Sequence, residues 1–128
     1  MSYELNVTKE SDHLYVGATG SLTIETLIAL ITNVDSLCIE HGYDRVLIDV
    51  SAIKGELDPL DSYMFSCEYL PGLGFDSQIK TAIIDLEQNR NRLQPVMHNA
   101  RLRGLNMLIF SSAYEAMTWL DVQKQPVS

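Results

Sequence analysis

Basic residues are scarce in this sequence, and their scarcity argues against one large class of partner. Nine lysines and arginines stand against 17 aspartates and glutamates, which gives a formal net charge of −8. Proteins that bind nucleic acid use clustered lysines and arginines to displace the counterions of the phosphates. We therefore expect no nucleic-acid partner.

Cysteine and long apolar runs are also rare. Cys38 and Cys67 lack the paired spacing of a zinc site or a redox motif, so we interpret both as reduced packing residues and expect no bound metal. No apolar run reaches the roughly 18 residues that a membrane span needs. The opening MSYELNVTKE has neither a basic leader nor an apolar signal core, which favours a cytoplasmic location.

The residues that usually carry catalysis do not form a recognisable motif. His13, His41 and His98 are scattered, and none stands beside a nucleophile in the sequence. The segment LPGLGF lacks the glycine and lysine spacing of a phosphate-binding loop. We predict that the protein is not an enzyme and needs no cofactor.

What the sequence does contain is a regular alternation of strand and helix patterns. At 128 residues the chain fits one domain, which we place at residues 1–128. A period-two hairpin opens the chain, and apolar strand runs then alternate with helical stripes. The expected strands are 3–7, 14–18, 45–50, 79–85 and 105–110, and the expected helices are 24–42, one from about Asp58, 93–103 and one after Ser112. The pattern predicts an α/β fold with a five-stranded mixed sheet, parallel but for the first strand, and about four helices.

The stretch IDVSAIKGELDPLDS, residues 48–62, combines acids and serines directly after an apolar strand. Asp58 is well placed as a helix N-cap, with Pro59 and Asp61 in the first turn. Two other interpretations remain open, namely regulatory chemistry at Ser51 or Ser62 and a hard-cation site. The ligands of such a cation would be Asp49, Glu56, Asp58 and Asp61.

The helix that follows has more apolar residues than one core stripe needs. We assign its core stripe to Leu60, Tyr63, Met64 and Cys67. Phe65 and Tyr69 then lie on another side and, with the following LPGLGF from Leu70 to Phe75, form a candidate exposed patch. Burial against a neighbouring helix is the alternative.

Four arginines provide most of the positive charge of the second half of the chain: Arg90, Arg92, Arg101 and Arg103. They could bind an anionic group, or the acidic first half of a second copy, by forked hydrogen bonds. Solvated side chains beside the core are the alternative. Pro95 is compatible with a first helical turn, which would leave Arg90 and Arg92 ahead of the helix.

Three segments together resemble the SpoIIAA-like group of the STAS superfamily, the fold of bacterial anti-sigma-factor antagonists. They are LYVGATGSLT (residues 14–23), RVLIDVSAI (45–53) and FSSAYEAMTWL (110–120). The last resembles uncharacterised bacterial members, which are also likened to CRAL-TRIO lipid-binding domains. In the regulatory members a serine at the start of the second helix is phosphorylated. The resemblance places Asp58 on the motif aspartate and Pro59 and Leu60 on its two serines, so the usual acceptor is absent.

From the residues and the resemblance together we predict a non-enzymatic regulatory module that binds a protein partner or a second copy of itself. The predicted contact residues are Ser51, Asp58, Asp61, Ser62, Phe65, Tyr69 and Phe75. The alternative is a carrier or sensor of a small apolar or lipid-like ligand. Its pocket would be lined by Tyr63, Phe65, Tyr69 and Phe75, and the four arginines named above would bind the headgroup of the ligand.

Overall fold

A computed structural model describes residues 3–70 and 78–122, except for the side chain of Arg90. Its five strands form one sheet in the order β1-β2-β3-β4-β5. The strands are β1 (Glu4–Lys9), β2 (Leu14–Ser21), β3 (Arg45–Lys54), β4 (Lys80–Ile84) and β5 (Asn106–Phe110). The helices are α1 (Ile24–His41), α2 (Pro59–Met64), α3 (Gln94–Leu102) and α4 (Ala113–Leu120). A π-helical turn, Phe65–Tyr69, extends α2, and a 3-10 segment, Glu87–Leu93, precedes α3.

The strand directions are those that the sequence predicts. β1 pairs with β2 antiparallel, and β2–β3, β3–β4 and β4–β5 are all parallel. Each parallel pair is joined by a segment that contains a helix, as parallel neighbours require. The prediction of a mixed α/β sheet with one antiparallel edge strand is confirmed.

The ends of α1 follow directly from local sequence. Thr23 is the N-cap, and its hydroxyl accepts a hydrogen bond from the backbone N–H of Thr26 at 3.0 Å. Gly42 ends the helix in the left-handed conformation, with φ of 74°. Most residues avoid that conformation because Cβ crowds the backbone, whereas glycine adopts it freely.

The sheet carries a core on each face. The larger core packs α1, α3 and Phe65 of the π-helical turn against one face, and its strand residues include Val46, Ile48 and Val50. The smaller core packs α4 against the other face, where it meets Leu47, Ala82 and Ile84. Alternate residues of β3 therefore belong to opposite cores, which explains its nearly continuous apolar run.

The carboxyl end of α4 is fixed to the sheet by basic side chains. Arg45 Nη1 donates to the carbonyl oxygens of Leu120 and Asp121 at 2.9 and 2.6 Å, and Lys80 Nζ donates to that of Trp119. The charges also suit the negative end of the helix dipole. No helix within residues 3–70 and 78–122 has the length and apolar character of a membrane span.

Candidate functional site

The polar stretch after β3 begins later than the sequence predicts. β3 does not end at Val50 but continues to Lys54, paired with β2, with a register irregularity between Gly17 and Thr19. A bulge adds a residue to one strand and shifts its alternation, so polar residues can continue the strand without entering the core. As a result, Ile53 is buried while its neighbours Ala52 and Lys54 are exposed.

Asp49 therefore lies within the sheet and not at its rim. It stands between Gly17 of β2 and Ile84 of β4, on the same face as Leu47, which packs under α4. Its carboxylate accepts hydrogen bonds from the Ser51 hydroxyl at 2.6 Å, the Ser51 N–H at 2.9 Å and the Tyr15 hydroxyl at 3.4 Å. Asp49 thus points to the face that α4 covers, whereas the turn after α2 packs on the opposite face.

Asp58 is the N-cap that the sequence predicts. Its Oδ1 accepts a hydrogen bond from the backbone N–H of Asp61 at 2.8 Å, and Pro59 occupies the first turn. Asp58 is exposed and Asp61 is half-buried. Among the residues that the structure describes, no three His, Cys, Asp or Glu side chains are grouped in a way that could hold a metal ion.

The helix after this cap buries only part of the stripe predicted for the core, since Met64 and Cys67 are half-buried. Phe65 is fully buried, whereas Leu60 and Tyr63, assigned above to the core stripe, are 66% and 62% exposed. Only Tyr69, at 41% exposed, lies on the surface as expected. The predicted exposed patch is therefore wrong at Phe65 and at Leu70, which are both buried. Its remaining residues, 71–75 including Phe75, lie outside the described residues.

Small residues and the π-helical turn explain this orientation. Ser62 and Ser66 face inward and are buried, and their small size lets the helix approach α3. In the π-helical turn the N–H of Leu70 bonds to the carbonyl of Phe65, so residues five apart share one face. Phe65 and Leu70 both enter the core for this reason, and the ordinary spacing of three or four residues does not predict it.

The four arginines do not form one anion-binding group. The side chain of Arg92 is only 4% exposed and makes a forked pair with Asp85, through Nε at 2.9 Å and Nη2 at 3.0 Å. Arg101 and Arg103 are exposed at the far end of α3, on the order of 10 Å along the helix axis from its start. The side chain of Arg90 is not described. The prediction of a shared anion site is wrong for Arg92, because the buried carboxylate already occupies its fork.

The pair of Arg92 and Asp85 was missed by the sequence reasoning, although it joins three segments. Besides Asp85, Arg92 donates to the carbonyl oxygens of Gly55 at 2.7 Å and Val50 at 3.1 Å. It therefore ties the loop after β3 to the carboxyl end of β4 and to the start of α3. The available signal was an aspartate at the end of a buried apolar strand, with Pro95 placing Arg92 just ahead of α3.

Two spaces lie near these residues. An apolar cavity of about 30 Å³ sits between the sheet, α1 and α3. That is room for about one water molecule and far too little for a lipid. A groove of about 400 Å³ opens between α2 and α3, and Leu57, Pro59, Ser62, Tyr63, Ser66, Asn91, Arg92, Pro95 and Asn99 line it.

The aromatic pocket of the carrier alternative is not assembled by the described residues. Phe65 is in the core, Tyr63 lines the groove and Tyr69 is exposed. None of the three lines the apolar cavity.

Burial raises the pKa of Tyr3 and of two further described groups, Cys38 and Tyr15. Desolvation, and secondarily the Asp35 charge, raises the pKa of Cys38 to about 11. Burial and then the nearby Asp49 carboxylate raise the pKa of Tyr15. Both shifts disfavour the ionised, nucleophilic form at neutral pH.

Comparison with solved structures identifies the fold. An anti-sigma factor antagonist from Mycobacterium paratuberculosis superimposes with a TM-score of 0.56 at 14% identity, over 94% of this chain and 95% of that one. An uncharacterised protein from Shewanella loihica with a SpoIIAA-like fold gives a TM-score of 0.51 at 19% identity, over 92% and 93%. The chain has the SpoIIAA-like, or STAS, fold. No protein-family model and no curated protein sequence matches this STAS-fold chain.

The serines near the STAS regulatory motif are already engaged or hidden. The resemblance places Pro59 and Leu60 at the usual serine positions. Ser62 is buried on the inner side of α2, and the Ser51 hydroxyl donates a hydrogen bond to Asp49. Neither serine is presented on an open surface as a kinase substrate would be.

Proposed function

We propose that this chain is a cytoplasmic, non-enzymatic regulatory module that binds a protein partner through one surface of α2. We call this surface the α2 outer face and define it as Leu60, Tyr63 and Tyr69 with the flanking acids Glu56, Asp58 and Asp61. The observation that carries the proposal is the exposure of Leu60 and Tyr63 at about two thirds each. The small side chains of Ser62 and Ser66 are buried, whereas the large side chains of Leu60 and Tyr63 are exposed to solvent.

The composition of the α2 outer face supports a protein partner. The centres of protein–protein interfaces are enriched in aromatic residues and depleted of charge, and their rims are polar. Leu60 and Tyr63 would form such a centre, and Glu56, Asp58 and Asp61 such a rim. The rim acids would favour a partner with a basic patch, since complementary charge speeds and orients association.

The likeness in fold agrees with this role. One of the matching solved structures is an anti-sigma factor antagonist, a regulatory protein. The absence of serine at positions 59 and 60, the hydrogen bond of Ser51 to Asp49 and the burial of Ser62 support a partner contact that does not depend on phosphorylation of this segment.

The placement of the histidines supports a non-enzymatic role. His13 is buried beside Asp12, His41 ends α1 and His98 is exposed on α3. They lie on three separate parts of the fold, and within residues 3–70 and 78–122 none of them bonds to a serine or cysteine. Catalysis by a histidine–nucleophile pair needs hydrogen-bond contact between the two groups.

A matched pair of substitutions tests the proposal. Leu60→Ser removes an apolar side chain of the α2 outer face, and Leu102→Ser removes one of similar exposure, 72%, at the end of α3. Tagged parent and variant proteins are used to capture partners from the native host, and the captured proteins are identified by mass spectrometry. The affinity of each identified partner is then measured by calorimetry.

We expect Leu60→Ser to weaken partner binding about tenfold or more, since central apolar anchors contribute about 1–2 kcal/mol. Leu102→Ser should bind like the parent. If the parent and Leu60→Ser bind the partner with equal affinity, the α2 outer face is excluded as the binding site. If the captured protein is a second copy of this chain, the parent will sediment as a dimer, and Leu60→Ser should then shift it to monomer.

A further inference from the structure

The groove between α2 and α3 is bordered by exposed side chains. Pro59 and Tyr63 line it from α2, Pro95 and Asn99 line it from α3, and Asn91 lines it from the segment ahead of α3. Pro59, Asn91 and Pro95 are exposed, and Tyr63 is 62% exposed. A segment that enters the groove can therefore contact these side chains directly.

The size of the groove favours an extended segment over a helix. One turn of an α-helix, about 10 Å wide and about 5 Å long, already occupies about 400 Å³. The groove has a volume of about 400 Å³, so it would hold no more than a single helical turn. A polyproline II segment is thinner and rises about 3.1 Å per residue, so several of its residues fit in the same space.

The rings along the groove suit proline side chains. Pro59, Pro95 and Tyr63 are rings, and Leu57 adds an apolar side chain next to Pro59. Proline-rich segments dock against aromatic and apolar grooves of this kind. Their conformation is formed before binding, so they lose little entropy when they bind.

Two polar groups at the groove are available for new hydrogen bonds. Among the residues that the structure describes, neither the Asn91 amide nor the Tyr63 hydroxyl has a hydrogen-bond partner. The backbone carbonyl groups of a polyproline II segment make no internal hydrogen bonds, whereas those of a helix do. Donors on the protein therefore match a polyproline II segment better than a helix.

The charges beside the groove favour a basic segment. Glu56 and Asp58 flank the lining residue Leu57 in the chain, and Asp61 precedes Ser62. Arg92 also lines the groove, but its guanidinium is paired with the Asp85 carboxylate. Basic side chains at the ends of a bound segment would complement the three acids.

We infer that the groove binds a proline-rich segment of the partner protein that is flanked by arginine or lysine. Its proline rings lie against Pro59, Tyr63 and Pro95, and the Asn91 amide donates to one of its backbone carbonyl groups. This inference rests on the proposed function, because Tyr63 belongs both to the α2 outer face and to the groove.

The probe is the peptide Arg-Pro-Pro-Pro-Pro-Arg with blocked ends, and two peptides of matched length serve as comparisons. Arg-Ala-Ala-Ala-Ala-Arg lacks the proline rings, and Glu-Pro-Pro-Pro-Pro-Glu has the opposite charge. Each is titrated into the isotopically labelled protein, and the backbone amide resonances of Tyr63, Asn91 and Asn99 are followed by NMR. The variants are Tyr63→Ala and, as a control of equal exposure on α4, Tyr114→Ala.

We expect the arginine–proline peptide to shift these resonances saturably. The alanine and glutamate peptides should bind about tenfold more weakly or not at all. Tyr63→Ala should weaken binding of the arginine–proline peptide about tenfold, since exposed aromatic anchors carry much of the energy of such contacts, and Tyr114→Ala should bind it like the parent.

Absence of saturable shifts would overturn the inference. So would equal affinity for the proline and alanine peptides, equal affinity for the arginine and glutamate peptides, or unchanged binding in Tyr63→Ala. Shifts of the same resonances on dilution of the protein alone would also overturn it, because a second copy would then occupy the groove. If no peptide binds and Leu60→Ser still loses the captured partner, the groove is rejected and the α2 outer face remains the contact.

Discussion

The buried pair of Arg92 and Asp85 gives the most sharply quantified prediction. Replacing Arg92 by methionine keeps most of the side-chain volume but removes the charge and the donors. Asp85 is fully buried and would retain only the backbone N–H of Leu86, at 2.9 Å, as a hydrogen-bond donor. Two charge-assisted hydrogen bonds, at 2.9 and 3.0 Å, would be lost.

The expected cost follows from those losses. Hydrogen bonds to charged groups contribute about 1.5–3 kcal/mol each, and removing one partner of a buried ion pair costs about 3–5 kcal/mol. We therefore expect Arg92→Met to lower the free energy of unfolding by about 3–4 kcal/mol. That is a large share of the roughly 5–15 kcal/mol by which domains are stable. Arg92→Lys retains the charge but not the fork, so its loss should be intermediate.

Urea unfolding measures this directly, with the fluorescence of Trp119, the single tryptophan, as the probe. With a urea dependence near 1.5 kcal/mol per M, the midpoint should fall by about 2 M. Arg101→Met, at an exposed position, is the control and should change stability by less than about 0.5 kcal/mol.

A double variant separates loss of the pair from loss of packing. Asp85→Asn combined with Arg92→Met leaves no unpaired buried charge, so it should be more stable than Arg92→Met alone. A urea midpoint that falls no further in Arg92→Met than in Arg101→Met would contradict this prediction. The prediction is also refuted if the double variant is less stable than the single one.

Three further predictions concern local features. Gly42→Ala should lower the free energy of unfolding by about 1 kcal/mol. The cause is backbone strain at φ of 74° alone, because an added Cβ meets no atom within 4 Å. Thermal unfolding measures this loss, and an unchanged melting temperature would contradict the prediction. Asp58→Ala should lower the free energy of unfolding by about 1 kcal/mol. Asp58→Asn should lower it much less, because the asparagine side chain can still accept the hydrogen bond from the N–H of Asp61. Equal losses for the two variants in urea unfolding would show that Asp58 does not stabilise α2 as an N-cap. Cys38, with a pKa raised to about 11, should be inert to iodoacetamide at pH 8, where about one thiol in a thousand is ionised, and should react after unfolding. Because its folded pKa exceeds the ordinary value of 9.0, its contribution to stability is present below pH 9 and should be lost as the pH rises toward 11.

Features set by local sequence could be predicted, and α1 shows why. Its cap residues, Thr23 and Gly42, and its apolar stripe depend on neighbours within a few positions of the chain. The parallel order of β2 to β5 follows from the alternation of strands and helices, since each crossover returns the chain to the neighbouring strand.

The faces of α2 could not be predicted in the same way. Hydrophobicity assigns Leu60 and Tyr63 to the core, but serines occupy the inner side because α3 approaches there. The π-helical turn then changes the spacing of the buried residues, so that Phe65 and Leu70 align. Both effects depend on a neighbouring helix and not on the segment itself.

The role of Arg92 also depends on distant residues. Its side chain resembles those of Arg101 and Arg103 in the sequence, and only the fold brings it to Asp85, Gly55 and Val50. The position of Asp49 also depends on a neighbouring strand. β3 continues past Asp49 to Lys54 because β2 remains paired with it over that length.

Photo-crosslinking in the native host tests the α2 outer face most directly. A photoreactive benzoylphenylalanine is placed at position 60 in one variant and at position 102 in another, two sites of similar exposure. We expect position 60 to crosslink to one discrete protein partner and position 102 not to do so. Crosslinking at position 102 alone, or no discrete product from position 60, would contradict it.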